Sequence, residues 1–240
     1  MIGLGTIINA GAIVVGGIIG LCGGKFMNER LQETLQMTCG VSVLMIGIAG
    51  AMEKMLSISE GALTSGQSIL LTVCLVIGAA VGELLNIERW FEKFGVWLKQ
   101  KTGSSGDGSF VDGFVTASLT VSIGAMAIVG ALNDGISGDW SVLAAKAVLD
   151  FIIVMVMTCS MGKGCVFSAV PVFVFEGLIT VFAMFIKPFM TELALNYIGL
   201  VGSALIFCVG VNLVWGKKIR VANLLPAILC AAVAAFLPIG

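Results

Sequence analysis

Residues Ser141–Ser160 read SVLAAKAVLDFIIVMVMTCS, and the fold is decided there. The stretch is apolar almost throughout. It is as long as a bilayer core is thick, since ~20 helical residues cross ~30 Å of hydrocarbon. Yet it holds Lys146 and Asp150. A charge at the centre of a membrane helix costs roughly 2.5–3.5 kcal/mol on insertion scales, so a span that keeps two of them has a use for them. Four residues apart, they share a helix face and can pair. Two uses weigh about equally: mutual neutralisation that fixes helix packing, and a solute or proton path through the protein.

The rest of the chain has the same character. Its 240 residues are 58% hydrophobic and 11% charged, where soluble domains carry roughly 25% charged residues, and the mean hydropathy is +1.10. The expectation is an all-α polytopic membrane protein, a single integral membrane domain over 1–240. A net charge of −1 leaves no basic field for nucleic acid. Histidine, the commonest proton shuttle and metal ligand, is absent. Seven cysteines occur without a C-x-x-C pair. Most sit inside apolar spans as small buried hydrophobes, so neither a disulfide framework nor a zinc site is expected. No metal or cofactor is called for. No G-x-S-x-G is present either, and Lys146 beside a carboxylate argues against an intramembrane aspartyl dyad. The chain is not expected to be an enzyme. Its start, MIGLGTIINAGAIVVGGIIGLCGG, has no basic leader and no A-x-A site, so it reads as a retained first helix.

Eight apolar spans are expected, at about 2–22, 37–56, 67–85, 111–131, 141–160, 165–186, 193–214 and 222–238. Gly16, Gly20 and Gly24 in the first and Gly78 and Gly82 in the third recur every four residues. Such faces admit a close neighbouring helix, within the chain or in a homodimer. Over about 86–101, Ile87, Trp90, Phe91, Phe94, Trp97 and Leu98 recur at three and four, with Glu88, Arg89, Glu92 and Lys93 between them. That pattern predicts an amphipathic helix in the cytoplasmic membrane interface, with docking to a soluble partner helix as the alternative. A Gly/Ser run from Gly103 to Ser109 then serves as a flexible linker. Loops after odd spans hold Lys25, Arg30, Arg89, Lys93, Lys99, Lys101, Lys163, Lys217, Lys218 and Arg220, whereas loops after even spans hold Lys54 and Lys187. The positive-inside rule puts the odd loops in the cytoplasm and both termini outside.

At 1.5 Å per residue, Asp150 lies about 13 Å into the fifth span and Glu176 about 13 Å into the sixth, from opposite sides. Lys146 is shallower, where its stem can snorkel outward. The fourth span adds Asp112, Thr116 and Thr120 on one stripe, with Ser118 and Ser122 on another and Gly124 following. These are hydroxyls bonded to their own i−4 carbonyls or the polar wall of a cavity. Asn9, Asn212 and Asn223 are interhelical bonding candidates. Asp134 and Asp139 in NDGISGDW read as solvated turn acids, with a cation screen at an entrance as the other reading.

Residues 16–52 and 179–215 align without a gap. Phe26, Met27, Glu29 and Gly47 then fall on Phe189, Met190, Glu192 and Gly210, and Ile77–Val81 resembles Leu229–Val233. Triplets starting on opposite membrane sides make a 3+2+3 inverted repeat. In transporters of that plan the site lies near the midplane.

Four stretches carry a family resemblance: GTIINAGAIVVGGIIG, VDGFVTASLTVSIGAMAIVGALNDGISGDWSVLAAKAVLD, FSAVPV and KKIRVANLLPA. Together they resemble the bacterial membrane family labelled domain of unknown function 554, also called YqgA-like or YdfK-like, over essentially the whole chain. The family pattern in the middle stretch has Pro where Ala125 stands, Gln for Asn133 and Thr for Ala145. Losing that Pro implies a less kinked fourth helix. Lys146 and Asp150 match the pattern, and at Glu176 the family more often has an amide. The resemblance implies a bacterial inner-membrane protein and names no substrate. The functional expectation is a small-solute or ion transporter or permease in which Asp150, Lys146, Glu176, Thr116, Thr120, Asp112 and Asn9 bind the solute or ion. The alternative is a structural or regulatory membrane protein in which the charges only pack.

Overall fold

The computed structural model describes residues 2–24, 26–59, 61–104, 106, 108–122, 125–187 and 191–236. Lys25, Gly124, Phe189 and Met190, named above, lie outside the described residues, as do the side chains of Phe91 and Ala125. The elements are α1 (Leu4–Gly24), α2 (Glu29–Met55), a hairpin of β1 (Leu56–Ser59) and β2 (Ala62–Ser65), α3 (Ser68–Leu85), α4 (Ile87–Lys101), α5 (Phe110–Ser122) and α6 (Ala125–Ser137). There follow α7 (Ser141–Met161), a 3-10 turn Lys163–Ser168 into α8 (Ala169–Val181), α9 (Ala183–Ile186), α10 (Glu192–Trp215), a 3-10 turn Val221–Leu224, and α11 (Pro226–Ala234).

Among the described residues, six helices are long and apolar enough to cross a membrane. Two of the eight expected spans differ from the rest. The fourth is a bent pair, α5 and α6, whose axes meet at 62°. It bends without the family's proline. The eighth is a 3-10 turn and a short helix that together reach about 20 Å at 1.5 Å per residue, less than the ~30 Å core. Pro226 sets that helix's start, because it has no N–H to lose at a first turn.

Many large apolar side chains face outward, while polar and charged ones lie inward beside an apolar core that includes Phe110, Phe114 and Leu205. Ile7, Val15, Ile18 and Ile19 of α1 and Ile69, Val76 and Ile77 of α3 are exposed, while Thr6, Asn9, Ser118, Lys146, Asp150 and Glu176 are buried. Water would invert that order; lipid permits it. With no hydrophobic drive between helices in lipid, close packing does the holding. Gly16, Gly20 and Gly24 of α1 press on the Phe151, Met155 and Cys159 backbone of α7. Gly78 and Gly82 of α3 press on Ala227 and Asn223. Both small-residue faces are therefore used within the chain.

The same contacts fix directions. On α1 and α7 the partners rise together, from Gly5 with Leu143 to Gly24 with Cys159, so these helices are parallel. Thr6 meets Thr180 and Asn9 meets Glu176, so α8 runs against α1. Gly40 meets Leu213 and Gly50 meets Ser203, so α10 runs against α2. Helices α2 and α10 begin alike, with Asn28 and Thr191 as N-caps accepting from Leu31 N and Ala194 N. Each helix lays a glycine on the other, Gly47 on Phe207 and Gly210 on Leu44.

These directions gather Arg30, Arg89, Lys93, Lys99, Lys101, Lys163, Lys217, Lys218 and Arg220 at one end of the bundle. Lys54 and Lys187 belong to the other end, where Lys54 shares a hollow with Glu192 at the start of α10. Helix α4 lies at the basic end. Phe94 stacks on Trp97 at 5.6 Å and tilts against Phe114 at 5.8 Å, and Trp90 and Trp97 are exposed. Asn223 accepts from Glu88 N at 2.7 Å and so caps α4. Asn212 brackets the loop after α10 through Ile219 O, Lys218 N and Ile219 N. Both asparagines thus shape loops and helix ends. The hairpin was not anticipated; its signal was the alternation of Leu56 and Ile58, paired in register with Ser65 and Leu63.

Candidate functional site: an interior charge cluster at a broken helix

The cluster is assembled from four helices. Lys146 of α7 ion-pairs with Asp150 one turn on. The same ammonium stands 3.6 Å from Glu176 Oε1 of α8 and donates to Val121 O of α5 at 2.6 Å. Asn9 of α1 donates through Nδ2 to Glu176 Oε1 at 2.8 Å. Side-chain exposure is 7% for Lys146, 6% for Asp150 and 0% for Glu176. Lys146 turns inward and does not snorkel.

The Val121 bond explains why a lysine sits in this span. In an unbroken helix the carbonyl of residue 121 would accept from the N–H of residue 125. Helix α5 ends at Ser122 and α6 lies at 62° to it, and the Lys146 ammonium donates to that carbonyl. A cation there also meets the negative end of the α5 dipole. Half-helices ending inside a membrane are tolerated where such partners replace the lost bonds.

The stripe of α5 divides between two cavities. One, of about 460 Å³, runs from Glu53 and Lys54 at the end of α2 down to Lys146 and Asp150; Thr120, Val121, Met126 and Ser203 line it with apolar residues of α2, α7 and α10. The other, of about 190 Å³, lies on the basic side and is lined by Asp112, Thr116, Leu119, Asn212, Glu88 and Lys217. Thr116 and Thr120 are one turn apart, about 6 Å, so about one helical turn separates the cavities along α5. Thr120 donates to Thr116 O at 2.7 Å, the local back-bond, while still lining the larger cavity. Glu176 and Asn9 line neither cavity.

Of the sequence-predicted residues, Asn9, Lys146, Asp150 and Glu176 come together, Thr120 lines the larger cavity with Lys146 and Asp150, and Asp112 and Thr116 stand at the other. Among the described residues, five buried side-chain oxygens have no hydrogen-bond partner; Gln67 Oε1 is one, and the other four, Asn9 Oδ1, Glu176 Oε2, Ser118 Oγ and Ser122 Oγ, belong to α1, α5 and α8. Sequence reading missed the Val121 carbonyl. It also took Asp134 for a solvated turn acid. Helix α6 runs on to Ser137, Asp134 is fully buried, and it accepts from Gly3 N at 3.1 Å and Gly5 N at 2.9 Å, capping α1. The available signal was α1 itself, whose opening Gly-Leu-Gly offers no capping side chain of its own.

Among the described residues no group of three or more carboxylates and cysteines could hold a metal ion. The fold and cluster define a polytopic helical membrane protein with an ionisable interior. The chain belongs to the family described as "Protein of unknown function (DUF554)", which matches residues 4–236. It is 30% identical to "Uncharacterized membrane protein YdfK" of Bacillus subtilis (strain 168), over 97% of this chain and 95% of the relative. It is 26% identical to "Uncharacterized protein YqgA" of Escherichia coli (strain K12), over 95% of this chain and 94% of the relative. No solved structure matches.

Proposed function

We propose that the protein is a secondary transporter or permease for small solutes or ions in the bacterial inner membrane. One observation carries the reading: Lys146 and Asp150 form the floor of a cavity open toward one end, and a second cavity approaches to about one turn away from the other. A solute held at Asp150 would need only a small rearrangement around Thr116–Thr120 to change sides. The broken α5–α6 pair supplies a half-helix ending at that level, as in transporters with discontinuous helices.

A 3+2+3 inverted repeat is part of the same proposal. Under the gapless alignment, Gly47 falls on Gly210 and Leu44 on Phe207, and these are the reciprocal contacts of α2 with α10. The N-caps Asn28 and Thr191 also fall on one another. The expected pairs α1 with α8, α2 with α10 and α3 with α11 are all antiparallel neighbours. The gathering of basic residues at one end supports a cytoplasmic position for that end and an outside position for both termini.

Purified protein in proteoliposomes with an entrapped pH dye, challenged with a panel of small amines, amino acids and carboxylic acids, tests the function. A solute-dependent proton movement is expected in the wild type and not in Asp150→Asn, which must elute as folded protein. Equal movement in both would remove Asp150 from the path. The packing-device reading is favoured by the enclosure of Glu176, and it predicts no solute response at all.

A further inference from the structure

The cluster does not balance as drawn: two carboxyl groups, Asp150 and Glu176, face one ammonium, Lys146. The other elements around Glu176 add nothing to cancel the excess; Lys163, on the 3-10 turn before α8, is exposed and stands thirteen residues before Glu176. Helix α1 offers Asn9 and Thr6, which are uncharged. From α6 the ionisable group is Asp134, itself acidic and engaged by the Gly3 and Gly5 amides. From α5 it is Asp112, which lines the other cavity. A bare extra charge on a group with no exposure is among the costliest arrangements a protein can hold. Lys146 already has Asp150 and Val121 O as direct partners, so Glu176 carries the surplus.

Two orphan atoms say what relieves it. Glu176 Oε1 already accepts from Asn9 Nδ2. The other oxygen of that carboxyl, Oε2, and the other end of that amide, Asn9 Oδ1, are both buried without a partner. They belong to a carboxyl and an amide already joined through their other atoms, and two acceptors cannot satisfy one another. A proton on Oε2 would turn that oxygen into a donor for Oδ1.

We propose that Glu176 is a proton-binding site and that its resting form is the neutral acid, Oε2–H donated to Asn9 Oδ1 while Oε1 accepts from Asn9 Nδ2. The result is a cyclic acid–amide pair, and the lone Lys146–Asp150 ion pair beside it is then neutral. On the transporter reading above, on which this step rests, the coupling ion is a proton. An alkali cation fits poorly here: it needs several oxygens around it, and the Glu176–Asn9 pair offers two unpartnered ones. Deprotonation of Glu176 would leave an acceptor facing an acceptor and a second claim on Lys146. Loss of the proton is thus tied mechanically to α1, α7 and α8 together.

Infrared spectra of purified wild-type protein at neutral pH, compared with Glu176→Gln and Asn9→Ala, provide the test. The expected result is a protonated-carboxyl stretch that is missing in Glu176→Gln and moved to higher frequency in Asn9→Ala, where the bond to the amide is gone. Glu176→Gln, which reproduces the pair's donor and acceptor, should unfold within a few degrees of the wild type and should no longer respond to pH there. No such band in the wild type, or a wild-type melting temperature raised by sodium and not by lowering pH, would overturn the proposal. If Glu176→Gln fails to accumulate, the wild-type band and its shift in Asn9→Ala still decide. These spectra need no transported solute. A band present without any solute-driven proton movement leaves the site and ends the transport reading; movement without the band does the reverse.

Discussion

Among the described residues two lysines are each set between two carboxyl groups, and their contrast shows what burial does to one motif. Lys146 lies between Asp150 and Glu176 with 7% of its side chain exposed. Lys217 lies between Glu88 and Glu92, at 2.7 and 2.8 Å, with 51% exposed. At the surface, water and salt supply whatever the pair does not, and such contacts are worth ~0–1 kcal/mol. Inside, nothing else supplies it. Removing one partner of a buried pair costs ~3–5 kcal/mol because the survivor is left charged and alone. The inner lysine therefore organises three helices, and the outer one fastens a loop to α4.

The sharpest way to break this contrast is Lys146→Met. It strands Asp150 and Val121 O at once, and the expected loss is about 3–5 kcal/mol, read as failure to accumulate or as the largest fall in melting temperature of any single change here. Adding Asp150→Asn to Lys146→Met should restore much of it, since the uncompensated charge is what costs. A single variant that melts like the wild type would mean the inner cluster is no more coupled than the outer one.

The difference between the clusters was only half legible in the sequence. A charged pair four apart in an apolar span marks itself, and depth alone put Asp150 and Glu176 at one level. The apolar stretches marked the six long helices, and the basic residues gather at one end of the bundle. What stayed hidden was the reason for Lys146. Nothing in Ser-Ile-Gly-Ala at 122–125 separates a sharp bend from the glycine-rich helices elsewhere, because small residues serve close packing equally well. The missing proline pointed the wrong way. The lysine was the better clue: an ammonium in a membrane interior needs acceptors, and a helix that ends nearby provides them. Span eight, seen as the shorter apolar helix Val221–Ala234, differs for another reason. Its composition is apolar enough for a crossing, but the 3-10 turn that shortens it depends on where Asn223 meets Gly82 and Glu88, a tertiary fact.

A smaller effect is expected at the hinge between loop and α4. Asn223 accepts from Glu88 N, so it acts as a cap supplied from a distant segment. Asn223→Ala should cost about 1 kcal/mol, the usual worth of a lost cap, and should loosen α4 against proteolysis at the linker. If the outer cluster alone held α4, the variant would melt as the wild type does.

Smallest is the outer ion pair itself, and it differs from the inner one in how it fades. Lys217→Met should cost at most about 1 kcal/mol, less at high salt, since exposed charges are screened over ~8 Å at physiological ionic strength. Burial opposes the Lys217 charge, but the bonds and charges of Glu88 and Glu92 outweigh it and raise the group above its ordinary value of 10.5. A raised value on a base means the folded state holds its proton more tightly than the unfolded chain does. The contribution is therefore complete below pH 10.5 and disappears as pH climbs through the folded-state value. Melting curves of the wild type and Lys217→Met should run parallel at neutral pH, a small constant gap apart, and converge in the alkaline range. A gap that widened with pH would reverse the sign, and would mean that Glu88 and Glu92 do not hold the ammonium in the folded state.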